Sequence, residues 1–60
     1  MELWIARDKD EILYLYTHKP ELTDDKYFVS DGDYCNIDNS LFPEVTFENS
    51  PQQVEIKLLK

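Results

Sequence analysis

Glycine is nearly absent from this 60-residue chain, in which Gly32 is the only one. Phosphate-cradling loops need several glycines so that the backbone can approach closely, so a nucleotide-binding loop is excluded. Cysteine and histidine also occur once each, as Cys35 and His18. A single cysteine cannot close an intramolecular disulfide, and the pair falls short of the four ligands of a zinc site. A Cys-His nucleophile would still need an orienting third group and a sizeable pocket, for which so small a core leaves little room. Cys35 therefore reads as a small buried apolar residue on a strand and His18 as a solvated loop residue.

Basic residues are scarce too. Six Lys and Arg stand against thirteen Asp and Glu, a formal net charge of −7. A phosphate backbone or an anionic membrane surface repels such a chain, so neither direct nucleic-acid binding nor membrane adhesion is expected. No apolar run approaches the roughly 20 residues that cross a bilayer. Charges at Glu2, Arg7, Asp8, Lys9, Asp10 and Glu11 occupy the stretch where a signal peptide would be apolar, so the expected location is cytoplasmic. The chain starts at Met1 without a tag and is read as a complete product.

What the chain does have is aromatic residues: Trp4, Tyr14, Tyr16, Tyr27, Phe28, Tyr34, Phe42 and Phe47. Disordered segments are poor in such residues, so a folded core is expected despite the charge. The length allows one domain over residues 1–60. A chain this short buries only about 60% of the surface its unfolded form exposes, so its margin of stability is thin.

Alternation from Glu2 to Asp8 sets Leu3, Ile5 and Arg7 on one side of a strand and Trp4, Ala6 and Asp8 on the other. The polar cluster Asp8 to Glu11 has the length of a hairpin loop. Ile12 to Thr17 returns as a second strand, apolar on both faces and therefore the expected centre of the sheet. His18 to Lys26, with Pro20, Asp24 and Asp25, reads as a surface connection. Tyr27 to Ser30 and Asp33 to Ile37 read as two strands of a hairpin turned at Asp31-Gly32. Asp38 or Asn39 is expected to cap one helical turn through Phe42, stopped by Pro43. Val45 to Phe47 reads as extended, and Val54 to Leu58 alternates as a last strand.

The fold class expected is mainly β, a small antiparallel sheet of four or five strands with one short helical turn; the alternative is α+β with a longer central helix. The expected core is Leu3, Ile5, Leu13, Leu15, Phe28, Ile37, Phe42, Phe47, Val54, Ile56 and Leu58. The acidic clusters fail as calcium loops, because after Asp8 and Asp10 the next ligand position is Ile12 and the turn glycine is Leu13; after Asp31 and Asp33 the next alternate position is Cys35. No metal, cofactor or catalytic residue is expected, and the chain reads as a non-enzyme.

Two features point to a partner. A domain this small cannot cover both faces of its sheet, which leaves Trp4, Tyr14 and Tyr16 as a candidate contact surface. Asp8, Asp10, Asp31 and Asp33 supply a field that attracts basic surfaces. A protein partner or self-association is expected from the first, and an acidic nucleic-acid mimic that inhibits a nucleic-acid-handling or host-defence protein is the alternative from the second.

At its two ends the chain resembles small uncharacterised proteins of gut anaerobic bacteria, their phages and their mobile elements. The matching residues are Leu3-Trp4-Ile5-Ala6-Arg7-Asp8-Lys9-Asp10, Leu13-Tyr14-Leu15-Tyr16 with Lys19-Pro20, and Leu41-Phe42-Pro43-Glu44-Val45-Thr46-Phe47-Glu48-Asn49-Ser50-Pro51 with Val54-Glu55-Ile56. Members of that group usually carry glycine where this chain has Glu11. The resemblance implies an accessory role in a mobile element and supplies no catalytic residue.

Overall fold

The computed structural model describes residues 2–55. Strand β1 (Glu2–Arg7) turns back on β2 (Leu13–Tyr16) as an antiparallel hairpin, with Trp4 opposite Tyr16 and Arg7 opposite Leu13. The turn is closed by its own backbone: Asp8 N donates to Ile12 O at 3.0 Å and Glu11 N to Asp8 O at 2.9 Å. The Asp10 carboxylate adds an acceptor for Ile12 N at 3.1 Å. Glu11 takes φ 73°, a left-handed conformation that glycine adopts far more readily than glutamate.

Two further strands flank this hairpin. β5 (Tyr34–Asn36) adds to β2 and β6 (Gln52–Glu55) adds to β1, giving an antiparallel sheet in the order β5-β2-β1-β6. A separate ribbon pairs β3 (Glu21–Thr23) with β4 (Tyr27–Val29). The protein is therefore mainly β, with an antiparallel four-stranded sheet, a two-stranded ribbon and no helix among the described residues.

Period-two alternation sorts the side chains onto two faces, and each face has its own core. On one, Ile5 and Leu13 pack with Val45, edged by Leu15, Ile37 and Val54. On the other, Ala6 and Tyr16 pack with Phe28, edged by Trp4, Tyr14 and Phe47. The ribbon and Phe47 cover the second face, where the Phe28 and Phe47 rings meet edge-on at 6.0 Å. The segment from Val45 to Phe47 thus crosses from one face to the other. Ile5 and Leu13 are almost wholly removed from water, which stabilises the fold by about 1.5–3 kcal/mol for each side chain.

Arg7 holds the first covering layer in place. Its Nε donates to Val45 O at 2.6 Å, Nη1 to Glu11 O at 2.9 Å and Asn39 O at 3.0 Å, and Nη2 to Leu41 O at 3.1 Å and Phe42 O at 3.2 Å. A guanidinium has five N–H donors, and here each meets a main-chain carbonyl. Carbonyls of an irregular loop are thereby satisfied without a second strand.

Several expectations are corrected. The stretch His18 to Lys26 holds β3, and Pro20 within it is fully buried. Asp24 and Asp25 take φ 52° and 56°, and Lys26 N donates to Thr23 O at 3.1 Å. Two consecutive left-handed residues and this bond close a three-residue hairpin loop between Thr23 and Tyr27, built here without glycine. Asp31-Gly32 turns no hairpin, because β4 pairs with β3 while β5 pairs with β2. Gly32 has no positive φ; a Cβ there would fall inside the Thr17 hydroxyl and the His18 ring, so glycine serves close approach. The helical turn before Pro43 is a lone turn, Leu41 N to Asp38 O at 3.0 Å. Asp38 takes Ser40 N and Ser40 Oγ on its carboxylate, which holds that carboxyl below its ordinary range, the backbone amide contributing most.

Phe42, expected in the core, stands 46% exposed, and its backbone takes φ 49°. Val45 takes the core place expected of it, and Val45 to Phe47 pairs with no strand among the described residues. Cys35 is exposed because its strand lies at the sheet edge, where no layer covers it. The last strand begins two residues early, at Gln52; Ile56 and Leu58 lie outside the described residues.

Candidate functional site

Strand register assembles the aromatic residues. Trp4 lies opposite Tyr16, and Tyr16 opposite Tyr34, so one row crosses β1, β2 and β5. The next row on the same face is Ala6, Tyr14 and Asn36. Ladder bonds from Thr17 N to Asp33 O and from Ile37 N to Leu13 O flank these pairs. Tyr16–Tyr34 and Tyr14–Asn36 are therefore non-hydrogen-bonded pairs, the closer kind in an antiparallel sheet. It follows that the N–H and C=O groups of Tyr34 and Asn36 point away from β2, towards the open edge.

The tyrosine rings form a triangle. Centroids are 6.2 Å apart for Tyr14 and Tyr16, 5.8 Å for Tyr14 and Tyr34, and 6.0 Å for Tyr16 and Tyr34. The Tyr14 and Tyr34 rings meet at 72°, the edge-to-face arrangement that ring quadrupoles favour. At the far end of the row, Lys19 Nζ sits 5.6 Å from the Trp4 ring centroid. An ammonium at that range is attracted to the face of an indole.

A cleft of about 290 Å³ opens over the triangle, lined by Asp8, Tyr14, Tyr16, Phe28, Val29, Ser30 and Tyr34. Exposure grades across it: Tyr16 is 3% exposed, Tyr14 half-buried and Tyr34 65% exposed. The Tyr16 hydroxyl donates to Phe28 O at 3.2 Å. Burial, with smaller contributions from Asp8, Tyr14 and Tyr34, pushes its proton affinity well above that of an ordinary phenol. Asp8 is 6% exposed and accepts Phe28 N at 3.0 Å. Burial raises its carboxyl above the ordinary value of 3.8, the Phe28 amide opposes the shift, and the Asp10 charge adds to it.

Of the residues singled out from sequence, Trp4, Tyr14 and Tyr16 do share one face, but Tyr16 is buried there as a wall rather than presented to solvent. Asp8 is buried under the ribbon, because the Phe28 amide needs an acceptor. Asp10 is exposed in the β1–β2 turn, whereas Asp31 and Asp33 are exposed beyond the other end of β2. The length of β2, about 13 Å, separates them, so the four carboxylates form no single row. Tyr34 was not singled out. Its signal depended on strand order, which sequence periodicity does not carry.

A larger cleft of about 590 Å³ lies between the β1–β2 turn and the loop around Asn39 to Glu48. Arg7 lines it, but all of its donors are committed to carbonyls, so it offers none to an anion. Among the described residues, no group of three or more His, Cys, Asp or Glu side chains is placed to hold a metal ion. The hydrogen bond of the His18 ring is to Thr17 Oγ1, at 3.0 Å. Also among the described residues, no helix is long and apolar enough to cross a membrane. Compared with known proteins, the chain matches no family model, no curated protein and no solved structure.

Proposed function

We propose that this chain is a non-enzymatic interaction module, an accessory protein of a phage or mobile element, that binds another protein through the aromatic face ending at β5. The observation that carries this reading is the continuity of the Trp4–Tyr16–Tyr34 row with an open strand edge. Exposed tyrosine supplies contact area at low entropic cost, and the outward main-chain groups of Tyr34 and Asn36 can accept an added strand. Asp31 and Asp33 adjoin that edge in sequence, and their charge favours a partner with a basic surface.

Solution mass and affinity capture with matched variants test the reading. A partner held by the wild type, lost with Tyr34→Ala and kept with Glu44→Gln supports it. A concentration-dependent dimer abolished by Tyr34→Ala would identify a second copy as that partner. A monomer whose captured proteins do not change with Tyr34→Ala and Tyr14→Ala together would overturn it. Nucleic-acid mimicry is separated by salt: binding through phosphate-like carboxylates weakens steeply as ionic strength rises and on neutralising Asp10, Asp31 and Asp33.

A further inference from the structure

The cleft over the tyrosine triangle combines two properties that point to one ligand chemistry. Its walls are ring faces and edges, and its floor holds a carboxylate. The triangle's sides of 5.8–6.2 Å put its centre about 3.5 Å from each ring centroid, so one cation above that centre lies within reach of all three rings. Two other polar side chains of the lining are already engaged. Tyr16 donates to Phe28 O, and Ser30 Oγ donates to His18 O and accepts from Gly32 N. Asp8 differs: its one described hydrogen bond is a neutral amide, which leaves its negative charge without a positive neighbour among the described residues of the cleft. Burial, and to a lesser degree the Asp10 charge, raises its proton affinity. An ammonium already rests on this face, where Lys19 meets Trp4.

We infer that the Tyr14, Tyr16 and Tyr34 cleft, with Asp8 at its floor, holds the alkylammonium end of a lysine side chain presented by the protein partner. This rests on the interaction reading above and names the group recognised. A neutral apolar side chain would fill the same volume but leave Asp8 uncompensated. A guanidinium would present a planar fork to a carboxylate whose Oδ1 already takes the Phe28 amide, which compromises the two-oxygen pairing that favours it. A methylated ammonium fits best, since it needs fewer hydrogen-bond acceptors while keeping its charge for the rings.

The test uses the full chain and three blocked amino acids: acetyl-lysine methylamide with a free ammonium, its trimethylated form, and the uncharged tert-butyl isostere of that form. Ring-proton NMR shifts of Tyr14, Tyr16 and Tyr34 are followed on titration. Both charged probes should shift these rings saturably, the trimethylated one most tightly, and the neutral isostere should bind at least about fivefold more weakly. Tyr34→Phe should retain binding and Tyr34→Ala lose it; this residue is on an exposed edge, and amide dispersion checks that the variant stays folded. Asp8→Asn keeps an acceptor for Phe28 N and should weaken the charged probes several-fold without affecting the isostere. Equal binding of charged and neutral probes, or shifts confined to other rings, overturns the inference. If the charged probes fail while Tyr34→Ala still abolishes partner capture, the interaction reading stands and the lysine cleft falls. If the probes bind and capture is unchanged by Tyr34→Ala, the reverse holds.

Discussion

Arg7 and Asp8 are neighbours in sequence that anchor opposite faces of the sheet: Arg7 gathers the carbonyls of the loop on one side, and Asp8 takes the Phe28 amide of the ribbon on the other. Strand alternation makes this possible, since consecutive side chains leave a strand on opposite faces. Each covering layer is irregular or short, and neither has a strand partner in the main sheet. The end of β1 is therefore the point where both layers are tied to it.

Arg7→Lys tests the fork rather than the charge. Lysine keeps the positive charge but gathers its donors on one nitrogen, so it cannot reach at once the carbonyls of Glu11 in the β1–β2 turn and of Asn39 and Val45 in the loop. We expect a loss of about 2 kcal/mol in urea unfolding. Arg7→Ala should cost at least about 3 kcal/mol, a large share of the roughly 3–9 kcal/mol expected for a chain this size. Wild-type stability in Arg7→Lys would show that charge alone suffices.

Glu11→Gly should stabilise the protein by about 0.5–1 kcal/mol. The side chain is exposed, while the backbone sits at φ 73°, where a Cβ is strained and glycine is not. Glu11→Ala is the control and should stay within about 0.5 kcal/mol of wild type, since the strain comes from the Cβ that alanine retains. A gain in both variants would assign the effect to the lost charge.

The strands that could be read from sequence are those whose alternation is strong: Leu3-Trp4-Ile5-Ala6, Leu13 to Tyr16, and the stretch entering Val54. β3 was hidden because Glu21-Leu22-Thr23 carries one large apolar residue and its turn is Asp24-Asp25, two positive-φ residues with no glycine to mark them. Asp31-Gly32 misled for the opposite reason, since its glycine answers to a neighbouring ring rather than to a turn. The Trp4, Tyr14, Tyr16 face was legible from alternation. The anchoring role of Arg7 was not read, although alternation set this charged residue on the side of Leu3 and Ile5. Tyr34 joins the site only through pairing of β5 with β2, a long-range choice that local pattern leaves open.

Gly32→Ala should destabilise by about 1–3 kcal/mol, because the new methyl group meets the Thr17 hydroxyl and the His18 ring. His18→Ala alone should be close to neutral, the residue being exposed. Adding His18→Ala to Gly32→Ala removes one of the two obstacles and should recover part of the loss, read as a rise in thermal midpoint. No recovery would place the obstruction at Thr17, whose hydroxyl accepts Asp33 N at 2.9 Å and is the less free to move.

Asp8 and Asp38 should give the protein opposing responses to acid. The Asp8 carboxyl is raised, mainly by burial, so the folded state binds its proton more tightly than the unfolded chain does. Its favourable contribution is complete below the ordinary value of 3.8 and is lost as pH rises through the raised folded value. Asp38 is lowered by Ser40, so its contribution is present above 3.8 and is lost as pH falls through the depressed folded value. Asp8→Asn keeps an acceptor for Phe28 N and removes the titration. Relative to wild type it should therefore gain stability as pH rises above 3.8 and then level off at neutral pH. Asp38→Asn should show the reverse trend, losing relative to wild type as pH rises out of the acid range. Urea midpoints from pH 3 to pH 8 measure both differences. A constant offset for Asp8→Asn across that range would show that the carboxylate is not desolvated by the ribbon, and would remove the uncompensated charge from the floor of the tyrosine cleft.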